Sequence, residues 1–334
     1  MKQLFRGSVA IALSVAAGFA FAQAKEVTIG YQDMVVPYRV AQEAKELEKM
    51  TGYKVNWKQF GGGGEVIKAM ASGAVQIGEV GSAGIAAAVS RGEPLELFWI
   101  LDDIGSAEAL VVKKDSGIKT IADLKGKKIA MPFNSTTHFH MMVALEQAKV
   151  NPADVQILNM RPPEVRAAWQ RGDIQATFIW DPVLAEAKKD GTVIMTSGEI
   201  SQKTGKATFD GYVVNKDWAK ANKEFMVKFV KLLASSDDNY RKNKAKFTKD
   251  SNEVKAIAKW SGSKPEDVPG SIALYAFPTA QEQASKWLGG GANSVAAKAL
   301  AATADFQLSQ KQIEKKLPDY AVAVNPTYVQ ESLK

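Results

Sequence analysis

The sequence predicts an α/β protein with two lobes, each a mostly parallel sheet flanked by helices, joined by a double-crossover hinge. Three observations favour this fold class. Apolar runs of strand length alternate with helical patterns, which is typical of parallel strands connected by helices. A helix–glycine–strand pattern occurs twice, at a spacing of about 100 residues. The chain also has 334 residues, which is more than one hydrophobic core usually serves.

The N-terminal segment has the composition of an export signal. It opens with a short basic stretch, continues with an apolar run at 9–21 and ends in Ala22-Gln23-Ala24, a small-x-small cleavage pattern. The apolar run is too short to span a bilayer comfortably, and no later run is long and apolar enough to do so. We therefore expect an exported protein that begins after Ala24, with cleavage after Ala22 as the alternative.

Strands and helices alternate along both predicted lobes. In the first lobe we predict strands at 27–31, 55–60 and 75–80, with helices at 35–50 and from residue 65. In the second lobe we predict strands at 128–132, 155–158 and 174–180, with helices at 136–147 and from residue 164. Later helical segments should complete the first lobe and pack across the back of the second; they lie near 225–233, 252–259, 279–287 and 294–304.

The repeated pattern indicates two copies of one structural plan. The motif Glu-Val-x-x-Ala-x-x-x-Gly-x-(Val/Ile)-Gln occurs at 65–76 and at 164–175. Each copy describes a short helix that stops at a glycine before a strand begins. A second pair, LVVKKD at 110–115 and YVVNKD at 212–217, has nearly the same spacing. Two matches at one spacing are unlikely to arise by chance, so we infer an internal duplication.

The second pair also suggests where the chain passes between the lobes. We interpret the strands at 109–114 and 211–216 as the two crossings. One lobe would then hold residues 25–108 and 210–334, including the C-terminal helices, and the other would hold 109–209. Two crossings form a hinge, and a hinge between two lobes creates a cleft that can close over a ligand.

Composition excludes several chemistries. The chain has no Cys, so it has no thiol nucleophile, disulfide or thiolate-bound metal. Its two histidines, His138 and His140, cannot form a multi-histidine metal centre unless carboxylates supply most ligands. The net charge of +7 is not gathered into a dense basic stripe, so we expect no nucleic-acid binding. We predict no catalytic residue, no bound metal and no cofactor.

Several motifs give the chain a resemblance to a known family. They are ASGAVQIG at 71–78 followed by Gly81-Ser82, SAEALVVKK at 106–114, PFNSTTH at 132–138, AAWQRGDI at 167–174 and Trp180-x-Pro182. In these motifs the sequence resembles the type II periplasmic substrate-binding proteins of ABC importers. Within that class it resembles the taurine and aliphatic sulfonate group.

The resemblance implies a binding protein and not an enzyme. It implies a periplasmic monomer that captures taurine or a related small sulfonate in the cleft by hinge closure. The partner it implies is the membrane permease of an ABC importer, which receives the ligand. The alternatives are another anionic or zwitterionic solute, such as an alkanesulfonate, nitrate or an amino acid, or an enzyme built on the same scaffold.

Two helix starts are candidate anion sites. In open α/β sheets, ligands bind at the carboxyl ends of strands, where helix N-termini offer unpaired N–H groups and about half a positive charge. Three successive hydroxyl residues at one of these starts exceed what a single helix cap needs. The family match adds the histidine that follows them. The candidate ligand contacts are therefore Gly81, Ser82, Ser135, Thr136, Thr137 and His138.

A zwitterion such as taurine also needs a partner for its ammonium group, because a desolvated cation without a carboxylate or aromatic face is costly. The resemblance implies that Asp210 is the ammonium-binding carboxylate. Trp180 and Tyr212 are candidate aromatic walls, and Asp181 is a further acidic candidate. Asp181 and Glu79 add negative charge where the resembled group implies neutral residues. Either they point away from the cleft, or the ligand is more cationic than taurine.

Three further features stand near the predicted cleft or on the surface. Gln32 and Asp33 follow the first strand and are candidate ligand contacts. The four glycines at 61–64 lack the Gly-Lys-Ser/Thr ending of a nucleotide loop. We expect them to form a flexible rim or an amide nest, with a simple linker as the alternative. The basic run at 240–246 is typical of a solvated helix face.

Overall fold

The structure, a computed structural model, describes residues 25–334. The predicted export signal at 1–24 and its cleavage site lie outside the described residues. The described part of the chain forms two five-stranded sheets. None of its helices is both long and apolar enough to cross a membrane.

The strands and helices alternate as the sequence predicts. The strands are β1 Glu26–Tyr31, β2 Lys54–Gln59, β3 Ile77–Gly81, β4 Leu95–Asp103, β5 Glu108–Lys113, β6 Lys128–Met131, β7 Gln156–Asn159, β8 Ala176–Trp180, β9 Gly191–Thr196 and β10 Phe209–Asn215. The helices are α1 Arg39–Glu43, α2 Glu46–Thr51, α3 Gly63–Ala71, α4 Ser82–Ser90, α5 Thr136–Gln147, α6 Pro162–Arg171, α7 Val183–Asp190, α8 Ser197–Thr204, α9 Lys216–Ala221, α10 Lys223–Asn243, α11 Asn252–Ser261, α12 Val268–Ile272, α13 Ala280–Glu282, α14 Val295–Ser309 and α15 Thr327–Ser332.

Both sheets follow the same plan. The first has the strand order β2-β1-β3-β10-β4 and the second has the order β7-β6-β8-β5-β9. In each sheet the first three strands are parallel, and the fourth runs antiparallel to both of its neighbours. The two sequence repeats occupy matching positions, since α3 leads into β3 as α6 leads into β8, and β5 matches β10. The predicted fold class is confirmed.

The chain passes between the two sheets at other positions than the sequence predicted. β5 and β10 each lie inside one sheet, so the strands at 109–114 and 211–216 are not crossings. The chain passes between the sheets just before each of them, at 104–107 and at 197–208. The two passages touch, because a Cβ atom on Gly198 would lie 3.1 Å from the carbonyl oxygen of Gly105. The lobe boundaries at 25–108 plus 210–334 and at 109–209 stay a prediction.

Two predicted helices are interrupted. The helix at 35–50 is divided into α1 and α2, because Lys45 adopts a left-handed backbone conformation with φ 54°. The segment predicted at 279–287 begins as α13 and continues as a π turn, Gln283–Trp287. The C-terminal helices pack mainly on the first sheet, but Phe306 of α14 belongs to an apolar cluster of the second. Its ring meets that of Phe139 in α5 at a centroid distance of 5.3 Å.

Candidate functional site

A cavity lies between the two sheets, at the ends of strands from both. It holds about 380 Å³ of space between atoms, part of it open to solvent, which limits an occupant to a small molecule. Its lining combines polar side chains, glycines and aromatic rings from both halves of the protein. The lining residues are Gln32, Met34, Gly63, Gly81, Glu108, Asn134, Ser135, Thr136, Trp180, Asp210 and Tyr275.

Three helices begin at this cavity. Gly63 opens α3, Gly81 is the N-cap of α4 and Ser135 is the N-cap of α5, and all three line the space. The first N–H groups of a helix have no partner within it, and the helix dipole adds a partial positive charge at that end. The cavity therefore offers several amide donors to an anion without any cationic side chain, since no Lys or Arg is among its described lining residues.

The hydroxyl groups at the start of α5 are already engaged within the protein. The Ser135 hydroxyl donates to the carbonyl oxygen of Pro132 over 2.6 Å and accepts from the backbone N–H of His138 over 3.1 Å. The hydroxyls of Ser135 and Thr137 are themselves 2.8 Å apart. The Thr136 hydroxyl donates to a carboxylate oxygen of Glu108. Amides are thus freer than hydroxyls to meet an anion here.

At Gly81 the two halves of the protein approach each other closely along the cavity. A Cβ atom at this position would lie 2.8 Å from Cγ2 of Thr136 and 3.1 Å from Oδ1 of Asp210. The first distance is too short for any real Cβ contact, so the arrangement of the lobes seen here requires a glycine.

Two buried carboxylates line the cavity. The hydroxyls of Thr136 and Ser197 donate to Glu108, yet burial outweighs these bonds and raises the pKa of Glu108 to about 7. Burial also raises the pKa of Asp210 well above its ordinary value, with Glu108 and Glu79 adding repulsion. Ionised carboxylates are costly in such a place unless a cation joins them. The cavity is therefore suited to a ligand that carries a positive group.

Trp180 and Asp33 join the two sheets beside the cavity. The indole N–H of Trp180, at the end of β8, donates a 2.9 Å hydrogen bond to Oδ1 of Asp33, which follows β1. Burial raises the pKa of Asp33 to about 6. Trp180 lines the cavity whereas Asp33 lies behind it.

Glu79 points away from the cavity and into the first lobe. It forms a fully buried ion pair with Arg39 at 2.7 Å, and it accepts from the backbone N–H of Gln32 and from the hydroxyl of Tyr212. Arg39 therefore balances the charge of Glu79 within this cluster, although Glu79 still repels Asp210. Tyr212 belongs to the same cluster and lies outside the cavity lining.

Four other predicted contacts also lie outside the lining. The Ser82 hydroxyl accepts from the backbone N–H of Phe209 over 3.3 Å, and Thr137 is fully buried against Ser135. His138 stacks on Phe133 at a centroid distance of 4.4 Å, and burial lowers its pKa to about 4. Asp181 is buried, which raises its pKa. Direct contact of these side chains with a ligand stays a prediction.

Four lining residues were not singled out from the sequence: Met34, Glu108, Asn134 and Tyr275. Glu108 and Asn134 stand inside motifs that carried the family resemblance. Glu108 is also the single acidic residue of the largely apolar strand β5, and this pattern could have marked it as a candidate site residue. Gly63 belongs to the glycine run, which forms part of the interlobe rim, since Cβ atoms on Gly61 and Gly64 would meet Arg161 and Asn134. No local signal marked Met34 or Tyr275.

Among residues 25–334, no group of three or more His, Asp or Glu side chains is arranged to hold a metal ion. The site chemistry is therefore built from helix ends, carboxylates and aromatic rings in the part of the chain that the structure describes.

Comparisons with known proteins identify the family of the chain. Residues 25–261 match a family model described as the substrate binding domain of an ABC-type glycine betaine transport system. The chain is 38% identical over 319 residues to the taurine-binding periplasmic protein of Escherichia coli strain K12, covering 95% of this chain and 97% of that protein.

Solved structures share the fold. The crystal structure of the periplasmic aliphatic sulphonate binding protein from Escherichia coli superposes with a TM-score of 0.70 at 23% identity, covering 91% of this chain and 92% of that one. A desulfurization enzyme superposes with a TM-score of 0.63 at 13% identity, covering 92% and 99%. The fold thus occurs in binding proteins and in an enzyme.

The predicted resemblance is confirmed by the family match and by the relative that aligns along nearly the whole chain. The chain belongs to the family of substrate-binding proteins of ABC transport systems, the family of the Escherichia coli taurine-binding periplasmic protein.

Proposed function

We propose that the protein is the solute-binding component of an ABC importer, capturing taurine or a closely related small amino sulfonate and delivering it to a membrane permease. One observation carries the choice of ligand. A single small cavity combines the N-termini of α3, α4 and α5 with the buried carboxylates of Glu108 and Asp210. A molecule with an anionic head and an ammonium group satisfies both sets at once.

The sulfonate would be held by backbone amides. The first amides of α4 and α5 have no carbonyl partner within their helices, although the His138 N–H already donates to the Ser135 hydroxyl. The hydroxyls of Ser135 and Thr136 themselves donate within the protein. Sulfonate oxygens accept such N–H bonds without needing a guanidinium. Each hydrogen bond to a charged group contributes about 1.5–3 kcal/mol, so four or five cover the ~8 kcal/mol of a micromolar affinity after ordering costs.

The ammonium group would lie between Glu108 and Asp210, beside Trp180. A cation there restores the ionised forms of both carboxylates, which burial otherwise disfavours. An aromatic face adds about 0.5–2 kcal/mol for a desolvated cation. Tyr275 also lines this region with a hydroxyl whose pKa is raised well above its ordinary value, first by burial and then by the surrounding carboxylates, so it stays a neutral donor.

Capture would proceed by closure of two lobes, 25–108 plus 210–334 and 109–209. The passages at 104–107 and 197–208 would bend, and the Trp180–Asp33 hydrogen bond would form as the cleft closes. In this proposal the protein binds its ligand without chemistry. It acts as an exported monomer in the periplasm, with the signal removed after Ala24, and it binds no nucleic acid.

Titration calorimetry on the protein without its export signal tests the ligand class. Taurine should bind, and ethanesulfonate should bind at least about tenfold more weakly because it leaves two buried carboxylates without a cation. Glycine and an alkyl diamine serve as controls for the anionic and cationic ends. No heat with any sulfonate would overturn the proposal, and equal affinity for taurine and ethanesulfonate would redirect it to alkanesulfonates.

A further inference from the structure

Asp102 is a buried carboxylate that the proposed site does not use. It lies near the end of β4, its side chain is fully buried, and neither of its carboxylate oxygens has a hydrogen-bond partner among the described residues. An ionised carboxylate in this state loses its hydration without compensation, which strongly disfavours the charged form. A group of this kind needs a proton or a cation nearby.

Asp102 stands directly beside Asp210. In the antiparallel pairing of β4 with β10, Asp210 is the register partner of Asp102. Side chains of directly opposed residues lie on one face of a sheet, with Cβ atoms about 4.5–5.5 Å apart. A register shift between Asp210 and Gly211 bends the ladder at this point, and such irregularities commonly aim side chains at functional sites.

We propose that Asp102 is a positioning residue for the ammonium subsite: it shares one proton with Asp210 in the empty protein, and ammonium capture at Asp210 expels that proton. The proposal deepens the proposed function and rests on it. The O–H bond of the shared acid breaks, the proton leaves to solvent, and an ammonium N–H donates to the freed carboxylate. One positive charge enters the pair as another leaves, so charge is balanced.

The surroundings of the pair favour a shared proton. The charged and titratable groups that act on it come from β4 itself and from four other segments, and most are acidic. They are Glu79 on β3, Asp103 on β4, Glu108 on β5, Asp237 on α10 and Tyr275 before α13. The nearby cations act on other members of this set: Arg39 pairs with Glu79, Arg241 acts on Asp237, and Lys286 acts on Asp103. Adjacent buried carboxylates without a cation cannot both ionise.

Proton release gives the inference a signature that a merely structural Asp102 would not produce. At a pH where the pair holds its proton, the heat of taurine binding should differ between phosphate and Tris by the ionisation heat of about one proton. Taurine affinity should then fall by up to about tenfold for each unit of acidification below the upper pKa of the pair. Alkanesulfonates, which lack the ammonium group, should release no proton.

Two variants test whether the proton released on taurine binding comes from the Asp102–Asp210 pair. Asp102→Asn should bind taurine with a smaller buffer-dependent heat and a flatter pH profile than the native protein, because the acid that shares the proton with Asp210 is gone. Glu108→Gln removes the other cavity acid and should keep the proton release of the pair. Asp115→Asn is the control, since Asp115 is exposed, lies outside the lining and is not among the groups that act on the pair. Proton release that persists undiminished in Asp102→Asn, or that is absent from the native protein, overturns the inference.

A ligand-free measurement separates this inference from the taurine proposal. Carbon-detected NMR of the side-chain carboxyl carbon of Asp210 should show a titration midpoint that moves at least about one pH unit toward acid in Asp102→Asn. An unchanged midpoint overturns the shared proton. If taurine gives no heat but the midpoint moves, the carboxylate pair stands and the taurine proposal fails.

Discussion

The indole N–H of Trp180, the last residue of β8, donates a 2.9 Å hydrogen bond to the carboxylate of Asp33, which follows β1 in the other sheet. This bond joins residues of the two proposed lobes, so under the proposed function we expect it to form as the cleft closes. Asp33 is half-buried, and its partial burial raises its pKa to about 6. The hydrogen bond therefore connects closure of the cleft with the position of Trp180, which lines the cavity.

Replacing Trp180 by Phe tests this link. The variant keeps an aromatic face but loses the donor to Asp33, which should weaken taurine binding by about tenfold or more, the usual cost of losing a hydrogen bond to a charged group. Calorimetry measures the change. Trp169→Phe is the matched control, because Trp169 donates a 2.8 Å bond to Asp190 within the second lobe alone. Equal losses in the two variants would contradict a role in closure.

The two cavity carboxylates should make the protein bind amino sulfonates more tightly than sulfonates without an amino group. Asp210→Asn should weaken taurine by about 10- to 100-fold, since an amide cannot balance the ammonium charge. Ethanesulfonate should bind the variant as well as or better than the native protein, because a buried negative charge has been removed. Affinities for both ligands, measured by calorimetry, check this. Equal losses for taurine and ethanesulfonate would show that Asp210 does not contact the amine.

Gly81 should be required for closure. A methyl group there would lie 2.8 Å from Thr136 across the cleft, so Gly81→Ala should hold the lobes apart and lower taurine affinity by at least about tenfold. Small-angle scattering should show that taurine contracts the native protein but not the variant. Gly270→Ala is the control, because a Cβ at that position meets nothing within 4 Å. Normal contraction of Gly81→Ala would contradict the prediction.

The sequence predicted the sheet plan well but not the chain crossings. The repeats at 110–115 and 212–217 resemble each other because β5 and β10 have the same neighbours in their sheets. Sequence similarity of this kind reports a strand's local surroundings, and it carries no information on where the chain changes sheet. The crossings at 104–107 and 197–208 lie just outside the repeated segments.

The lining of the candidate site was predicted only in part, because the sequence shows strand ends and helix starts but not which distant residues meet. Gln32, Gly81, Ser135, Thr136, Trp180 and Asp210 line the cavity as expected, because each stands at a strand end or a helix start. Glu108 was not singled out, since its importance comes from burial against Thr136 and Ser197, which are distant in sequence. Tyr275 reaches the cavity from a C-terminal region where the family resemblance is weak.

Glu108 should make the stability of the ligand-free protein depend on pH. Its pKa is raised from an ordinary value of 4.5 to about 7 by burial. A raised acid pKa means that the folded protein holds the proton more tightly than the unfolded chain. The stability it contributes is therefore complete below pH 4.5 and is lost as the pH rises through 7. Glu108→Gln abolishes this loss, so the variant should gain stability over the native protein as pH rises.

Urea unfolding without ligand measures the effect. The free energy of unfolding of Glu108→Gln relative to the native protein should increase by about 1–3 kcal/mol from acid to mildly alkaline pH. The glutamine amide accepts the hydrogen bonds from Thr136 and Ser197 less strongly than the carboxylate does. This changes the free energy of unfolding by an amount that does not depend on pH, so it cancels when the difference between the two proteins is compared across pH.

Asp123→Asn should show the opposite trend, because hydrogen bonds from Lys119 and Thr120 lower the pKa of Asp123. Its stabilising contribution is present above the ordinary aspartate pKa and is lost in acid, so that variant's deficit should shrink there. A pH-independent difference for Glu108→Gln would show that Glu108 is ionised in the empty cavity and that its charge is already balanced.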